Sequence, residues 1–202
     1  ADAMDVIPKL SNLYDEPFSD SSQIPTYLVS AMTKKNVTVA LSGDAGDELF
    51  GGYNRYLWTK KIWNKIRLMP IPVRKFASWC VVSISPVVWN KILGQIATLP
   101  LPGDKLHKLA NLLPAKSVDD FYFHLISHWH DVEKFVLGSV GVCAPIEDSS
   151  KHPDFESIEQ KMMYLDSISY LPDDILTKVD RAAMGVSLET RIPFLNHHIV
   201  EF

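Results

Sequence analysis

The stretch from Val37 to Tyr56 constrains the fold of this chain more than any other part of its sequence. It opens with Val37 to Leu41, an apolar and β-branched run without alternation, which is typical of a parallel strand buried on both faces. Small residues follow at 42–46, and helical spacing begins at Leu49. Because ligands of parallel sheets bind beyond the carboxyl ends of the strands, the sequence predicts a site at this loop.

Three carboxylates lie on the loop and at the start of the helix: Asp44, Asp47 and Glu48. They would repel a bare phosphate group, and the sequence contains no G-x-x-x-x-G-K-[ST] loop. They suit a divalent cation that arrives with a nucleotide, because Mg2+ takes oxygen ligands from one or two carboxylates and from phosphates. Acidic residues in a first turn also stabilise any helix through its dipole. The residues alone leave both interpretations open.

Three blocks, in order along the chain, carry a family resemblance. The first block is S-G-D-A-G-D-E-L-F-G-G-Y at 42–53, the second block is the segment 171–202, which begins L-P-D-D-I-L-T-K-V-D-R, and a shorter block, D-E-P-F-S-D-S-S-Q-I-P-T-Y at 15–27, precedes both. Together they resemble the synthetase domain of glutamine-hydrolysing asparagine synthetases. The resemblance implies an α/β fold, here a predominantly helical fragment of a parallel-sheet ATP-binding domain of the adenine nucleotide alpha hydrolase-like type.

The resemblance also implies a reaction and its cofactors. The family uses ATP to convert the side-chain carboxylate of aspartate to an aspartyl-adenylate, and ammonia then displaces AMP. The ammonia comes from glutamine in a separate N-terminal domain. We therefore expect ATP and Mg2+ as cofactors, aspartate and ammonia as substrates, and a homodimer of the full-length protein.

Site residues of the first block follow from the same resemblance. It implies that Ser42 and Gly43 approach ATP, that Asp47 binds Mg2+, and that Asp44 takes part in forming the acyl-adenylate. Asp44 stands where some relatives have Glu, so its carboxylate reaches about one methylene less far. For Gly51-Gly52, inside the predicted helix, the resemblance favours a close approach of the backbone to another group over an interruption of the helix.

The second block offers two arginines, Arg181 and Arg191, close to acidic neighbours in the sequence. Opposite charges at this spacing are most often a structural ion-pair lattice. The resemblance implies instead that this segment packs against the Val37 strand and forms one wall of the crevice. The arginine fork suits a carboxylate, so we expect Arg181 or Arg191 to orient the substrate; the sequence does not choose between them.

The resemblance divides the chain into a nucleotide-site segment (1–56), a helical insertion (57–170) and an active-site-wall segment (171–202). The family's S-G-G-x-D-S pyrophosphate loop, the cysteine nucleophile of its glutaminase domain and a later catalytic lysine do not occur in these residues. We therefore expect a fragment of a longer enzyme that is inactive by itself.

The insertion is strongly basic, since 57–116 carry ten Lys and Arg and a single acid, Asp104. The bases lack the interleaved aromatics of RNA-binding motifs, so we expect no nucleic acid and a basic face that complements acidic parts of the same protein. The uncharged run from Phe76 to Asn90 is too short to span a bilayer, which favours a core helix pair over an interfacial anchor. We expect no membrane partner.

The remaining polar residues predict no further chemistry. His124 and His128 share a helix face and His130 is near, but the H-E-x-x-H pattern and a third ligand are missing, so we expect ordinary surface histidines. Cys80 and Cys143 lack metal-like spacing, which favours a reduced, cytoplasmic protein. Two alternatives to asparagine synthesis stay open: an ATP-dependent amidotransferase or β-lactam synthetase-like enzyme with another acyl substrate, and a non-catalytic helical scaffold.

Overall fold

The computed structural model describes residues 3–94, 100–127, 138 and 149–201. The chain divides into two compact units, Ala1–Tyr53 with Gln160–Phe202, and Asn54–Glu159. The first unit therefore contains both sequence blocks that flank the predicted insertion. The predicted three-part division stays a prediction about the complete domain.

The described residues are mostly helical. The helices are α1 (Ile7–Leu13), α2 (Gln23–Lys34), α3 (Gly46–Phe50), α4 (Asn54–Ile66), α5 (Ile71–Val82), α6 (Pro86–Leu93), α7 (Pro102–Leu112), α8 (Val118–Ile126), α9 (Ile158–Ile168), α10 (Thr177–Met184) and α11 (His197–Val200). A π-helical turn, Leu171–Leu176, includes Pro172 in its first turn and runs directly into α10. The strands are β1 (Val39–Leu41) and β2 (Glu189–Arg191).

The two strands form a parallel pair, with Val39 opposite Glu189 and Leu41 opposite Arg191. The connection between them spans 42–188, and parallel strands do require such a crossover. This pairing confirms that the second block packs against the Val37 strand. The coarse fold class, mostly helical with a small parallel sheet, is confirmed with it.

The prediction that β1 is buried on both faces is wrong in the described structure. Its side chains follow an exposed, half-buried, exposed pattern, and 75% of Leu41 is accessible to solvent. Among the described residues, β1 hydrogen-bonds to β2 alone within the sheet. An apolar run of this composition predicts a strand that other elements bury on both faces. The run does not specify which segments those are.

The core of the first unit joins the loop after β1 to the π-helical turn. Ala45 packs with Leu171 and Ile175, and partly buried apolar side chains surround this cluster. Nearby, α10 buries Ala182 and Ala183 completely and packs against α2 and β2. Because alanine has a short side chain, it lets neighbouring backbones approach closely, which brings α10 next to the strand it precedes.

The core of the second unit lies where α4 meets α8. Trp63 packs against Phe121 with ring centroids 5.8 Å apart, and Ile66 and Leu112 complete the cluster. Arg74 is also buried, and its guanidinium donates a hydrogen bond of 2.7 Å to the carbonyl of Ala115. Helix α4 thus buries Trp63 and Ile66, three residues apart, on the side that faces this cluster.

The uncharged run was expected to form a core helix pair; the helix pair is confirmed, whereas its placement in the core is wrong in the described structure. It forms the end of α5 and the start of α6, which meet at a bend of 88°. Both helices pack on α7, and much of their apolar surface away from it is exposed. None of the described helices is long and apolar enough to cross a membrane by itself, although α5 and α6 together meet that criterion.

The histidine and cysteine expectations are tested only in part. His124 lies 3.6 Å from the carboxylate of Asp120, one helical turn away, and is partly exposed. His128, His130 and Cys143 lie outside the described residues, and Cys80 is a half-buried free thiol. Within the described ranges, no three His, Cys, Asp or Glu residues converge as metal ligands.

An ion pair ties the segment before α2 to α10. The ammonium of Lys178 lies 2.7 Å from the Asp20 carboxylate, and both side chains are largely buried. The backbone and hydroxyl of Ser22 donate to the same carboxylate. Burial by itself raises the pKa of Asp20, but the hydrogen bonds from Lys178 and Ser22 outweigh it and hold the pKa below its usual range.

Asp20→Asn is expected to lower the free energy of unfolding at pH 7 by about 1–3 kcal/mol, because it leaves Lys178 without its charged partner. A carboxyl with a depressed folded pKa contributes stability above its unfolded pKa of about 3.9. That contribution disappears as the pH falls through the lower folded pKa. Denaturant unfolding of both proteins from pH 7 to pH 3 should show the difference shrinking.

The matched control is Asp15→Asn, which removes a carboxylate that pairs with Arg181 while remaining 79% exposed. Exposed pairs contribute little, so this variant should unfold like the wild type at every pH. Equal stability of Asp20→Asn and the wild type at pH 7 would contradict the assignment.

Candidate functional site

The loop after β1 leaves the sheet at the carboxyl ends of both strands. The Ser42 amide donates a hydrogen bond of 2.8 Å to the carbonyl of Arg191, which extends the parallel pairing by one step. Ala45 then adopts a left-handed conformation (φ 68°) and is 1% exposed. This conformation is unfavourable for alanine, so its burial against the π-helical turn is what holds the loop in shape.

The two aspartates of the loop differ in their surroundings. Asp44 is half-buried, and its carboxylate accepts a hydrogen bond from the Ser42 hydroxyl. Asp47 lies in the first turn of α3 and is exposed. The loop therefore presents one carboxylate that is already oriented by a neighbour and a second that is accessible to a cation.

The predicted helix is interrupted at the glycine pair. Helix α3 ends after five residues at Gly51, which has a positive φ of 73° that suits glycine. Gly52 has a different function, since a Cβ there would collide with the Asp47 carboxylate. The sequence left interruption and close approach as alternatives, and the family resemblance favoured close approach. The structure shows an interruption at Gly51 and a close approach at Gly52.

Glu48 points inward, although it is adjacent to Asp47. It is 1% exposed, and one carboxylate oxygen accepts a hydrogen bond of 2.5 Å from the Tyr53 hydroxyl. This bond spans the glycine pair and ties the end of the turn to its beginning. A Glu in a first helical turn is normally solvated, so the sequence carried no signal that this carboxylate is buried.

Phe194 of the second block packs against the loop and the helix that follows it. A Cβ at Gly46 would lie 3.2 Å from the ring of Phe194, which leaves little room for a side chain there. Phe50 meets the same ring edge-on, with centroids 5.5 Å apart. The wall predicted from the second block is therefore in contact with the loop.

The structure distinguishes the two candidate arginines. Arg191 lies at the carboxyl end of β2, beside the loop, and its Nε is 2.7 Å from the Glu189 carboxylate. Arg181 lies on α10, and its guanidinium pairs with Asp15 at 2.8 Å. Both pairs are exposed, but Arg191 alone of the two borders the cavity at the sheet end.

That cavity is open, has a volume of about 690 Å³, and lies at the carboxyl end of the parallel pair. Leu41 and Arg191 border it from the strands, and Asn196, His197 and His198 border it from the start of α11. The Asn196 side chain accepts a hydrogen bond from the His198 amide and so caps that helix. The sequence analysis included these three residues in the second block but gave them no role, because only the fold brings them to the strand ends.

The donor set fits a magnesium ion that arrives with a nucleotide better than a preformed metal centre. Three converging ligands are absent from the residues that the structure describes. Mg2+ bound to phosphates needs only one or two carboxylates, and Asp44 and Asp47 lie on one turn. The predicted roles of Ser42, Gly43, Asp44 and Asp47 stay predictions.

Comparison with known proteins identifies the family. A family model described as asparagine synthase matches residues 1–202, the whole chain. The chain belongs to the asparagine synthase family. Among curated relatives, the chain is 31% identical over 195 residues to asparagine synthetase [glutamine-hydrolyzing] 1 of Bacillus subtilis. It is 35% identical over 188 residues to putative asparagine synthetase [glutamine-hydrolyzing] 2 of Methanocaldococcus jannaschii.

This asparagine synthase family chain is much shorter than those relatives. The alignments cover 96% and 91% of the chain but 28% and 33% of the relatives. No solved structure matches it significantly. The family resemblance is therefore confirmed, and the chain corresponds to roughly a third or less of each relative.

Gly52→Ala is expected to displace the Asp47 carboxylate at a small cost in stability, because the colliding atom ends a flexible, exposed side chain. Gly51→Ala is its neighbouring control: it should cost about 1 kcal/mol through its positive φ and leave Asp47 in place. Crystal structures and unfolding curves of both variants would measure the two effects. An unmoved Asp47 in Gly52→Ala would contradict the close approach.

Proposed function

We propose that the complete protein is an ATP-dependent asparagine synthetase that hydrolyses glutamine, and that this chain supplies part of its synthetase site. The main support for this proposal is the hydrogen bond from the Ser42 amide to the Arg191 carbonyl, which places the acidic loop at the carboxyl ends of two parallel strands. Parallel α/β sheets bind their ligands there. The matched relatives are named as glutamine-hydrolysing asparagine synthetases, which supports the choice of reaction.

In this proposal the loop contacts ATP and binds the Mg2+ that neutralises part of its charge. Ser42 and Gly43 approach the nucleotide, and nothing lies within 4 Å of a Cβ built at Gly43, so that backbone is open to a ligand. Asp47 holds the Mg2+ that accompanies ATP, and the ion supplies positive charge where the aspartate carboxylate and the triphosphate meet. Gly52 keeps room for the Asp47 carboxylate, and the buried Glu48 holds the turn.

Asp44 and Arg191 act on the acyl substrate in the proposal. The hydrogen bond from the Ser42 hydroxyl holds the Asp44 carboxylate in place, and Asp44 then takes part in forming aspartyl-AMP. Arg191 borders the open cavity and binds a substrate carboxylate through its fork, whereas Arg181 ties α10 to the N-terminal segment. We therefore propose Arg191, and not Arg181, as the residue that orients the substrate.

Two alternatives have no specific support in the residues that the structure describes. An enzyme with another acyl substrate would use the same loop, and Asp44 in place of Glu does not by itself specify that substrate. A non-catalytic scaffold would not need an open loop of this kind at the sheet end. Both stay predictions: the following experiment separates a different acyl substrate from asparagine synthesis, and a non-catalytic scaffold would show no exchange with any acid.

The complete protein, at the length its gene encodes, should catalyse aspartate-dependent exchange of pyrophosphate into ATP. Asp47→Asn should lower the exchange rate by about 100-fold or more, because it removes a metal-binding charge where negative charge develops. Asp154→Asn, which removes an exposed carboxylate of the other unit, is the control and should exchange at the wild-type rate. Exchange without aspartate, or with another acid alone, would favour a different acyl substrate.

The 202-residue chain by itself should form no AMP from ATP, aspartate and ammonia. The chain covers about 28% of the Bacillus subtilis relative, and we propose that the rest of the ATP site lies in the remaining part of the protein. Chromatographic detection of AMP from the isolated chain and from the complete protein would compare them directly. AMP production by the isolated chain would overturn this proposal.

A further inference from the structure

The outer face of α5 carries large apolar side chains that the second unit does not bury. Phe76 and Trp79, one helical turn apart, are each 65% exposed, and Val73 is 52% exposed. The two aromatic rings stack on each other with centroids 6.0 Å apart. Exposed apolar residues scattered singly are ordinary, but an aromatic cluster on one helix face marks an interaction surface.

The elements on either side of α5 also carry exposed apolar side chains. Leu68 in the preceding turn is 80% exposed and Val87 on α6 is 75% exposed. Helix α7 packs against both α5 and α6, so the inner side of this bend is occupied. We call Leu68, Val73, Phe76, Trp79 and Val87 the α5–α6 apolar set.

The charged residues nearest this set in the sequence are basic, and the first acid after them, Asp104, accepts a hydrogen bond from Asn90 of α6. Between Tyr53 and Asp104 the sequence contains no Asp or Glu and eight Lys and Arg. Arg67, Lys75 and Lys91 are exposed, and Lys75 lies directly before Phe76 on α5. A partner of this region therefore has to accept aromatic and aliphatic side chains and carry negative charge.

We propose that the α5–α6 apolar set docks the protein on the surface of a membrane rich in anionic lipids. Helices that lie in a bilayer interface combine Trp, Phe and Leu with nearby Lys and Arg, which is the combination present here. Lysine reaches anionic headgroups while its methylene stem stays on apolar surface. With 12 and 8 residues and a bend of 88°, α5 and α6 suit a position along the interface.

A lipid surface fits these observations better than a protein partner. The cores of protein interfaces are depleted of Lys, and a protein that covered Phe76 would also have to accommodate the charge of Lys75. Headgroups supply negative charge without requiring a fixed set of acidic side chains. The proposal revises the expectation of no membrane partner, which assumed that the uncharged run is buried.

The test measures sedimentation of the complete protein with phosphatidylcholine vesicles that contain or lack phosphatidylglycerol. Binding should require phosphatidylglycerol and weaken as salt rises, because the screening length falls from about 10 Å at 0.1 M to about 3 Å at 1 M. Phe76→Ser with Trp79→Ser should reduce the bound fraction about 10-fold, since it removes the apolar anchor. Lys75→Glu should reduce it several-fold.

The control pair is Val29→Ser with Met32→Ser, which has the same spacing on α2, where these side chains are 57% and 63% exposed. This double variant and Lys35→Glu should bind vesicles like the wild type. Aspartate-dependent pyrophosphate exchange should persist in the Phe76 and Trp79 double variant, which shows that it is folded. Loss of vesicle binding with retained exchange separates this proposal from the proposed function.

Three results would overturn the proposal. They are absence of binding to either kind of vesicle, equal binding to both kinds, and wild-type binding by the Phe76 and Trp79 double variant. Hydrogen exchange of the complete protein without lipid provides the fourth test. Protection of α5 to the level of the buried helix α10 would show that another part of the protein covers this face, and would also overturn it.

Discussion

The parallel pairing of β1 with β2 is the interaction on which the candidate site depends. It joins two strands that are separated in sequence by residues 42–188, with Leu41 opposite Arg191. The amide of Ser42 continues the same ladder, so the acidic loop starts at the strand end and Arg191 is brought beside it. Without this pairing, the loop and the arginine would belong to unrelated segments.

The conformation of the loop depends on packing more than on its own small residues. Ala45 is held at a positive φ by burial against Leu171 and Ile175, and Gly46 fits against Phe194. Glu48 is turned inward to Tyr53, and that leaves Asp47 as the accessible carboxylate of α3. Three acidic residues that look equivalent in the sequence thus have three different surroundings.

The second unit shows how composition alone misjudges exposure. An uncharged run such as 76–90 suggests burial, since transfer of apolar side chains from water is favourable. Trp63 and Phe121 do fill the core of that unit, whereas Phe76 and Trp79 stay exposed because α7 occupies the opposite side of their helix. Periodicity locates a helix face, but the neighbours decide whether that face is covered.

The sequence by itself determined the local elements and the family. Its apolar run, small-residue loop and helical spacing predicted β1, the turn and the start of a helix after it, because these signals depend on neighbours within a few residues. Tertiary structure decided which of Arg181 and Arg191 reaches the strand end, how Gly51 and Gly52 differ, and why Leu41 and Trp79 are exposed. Each of these depends on contacts between segments far apart in the chain, and a local pattern carries no information about which segments will meet.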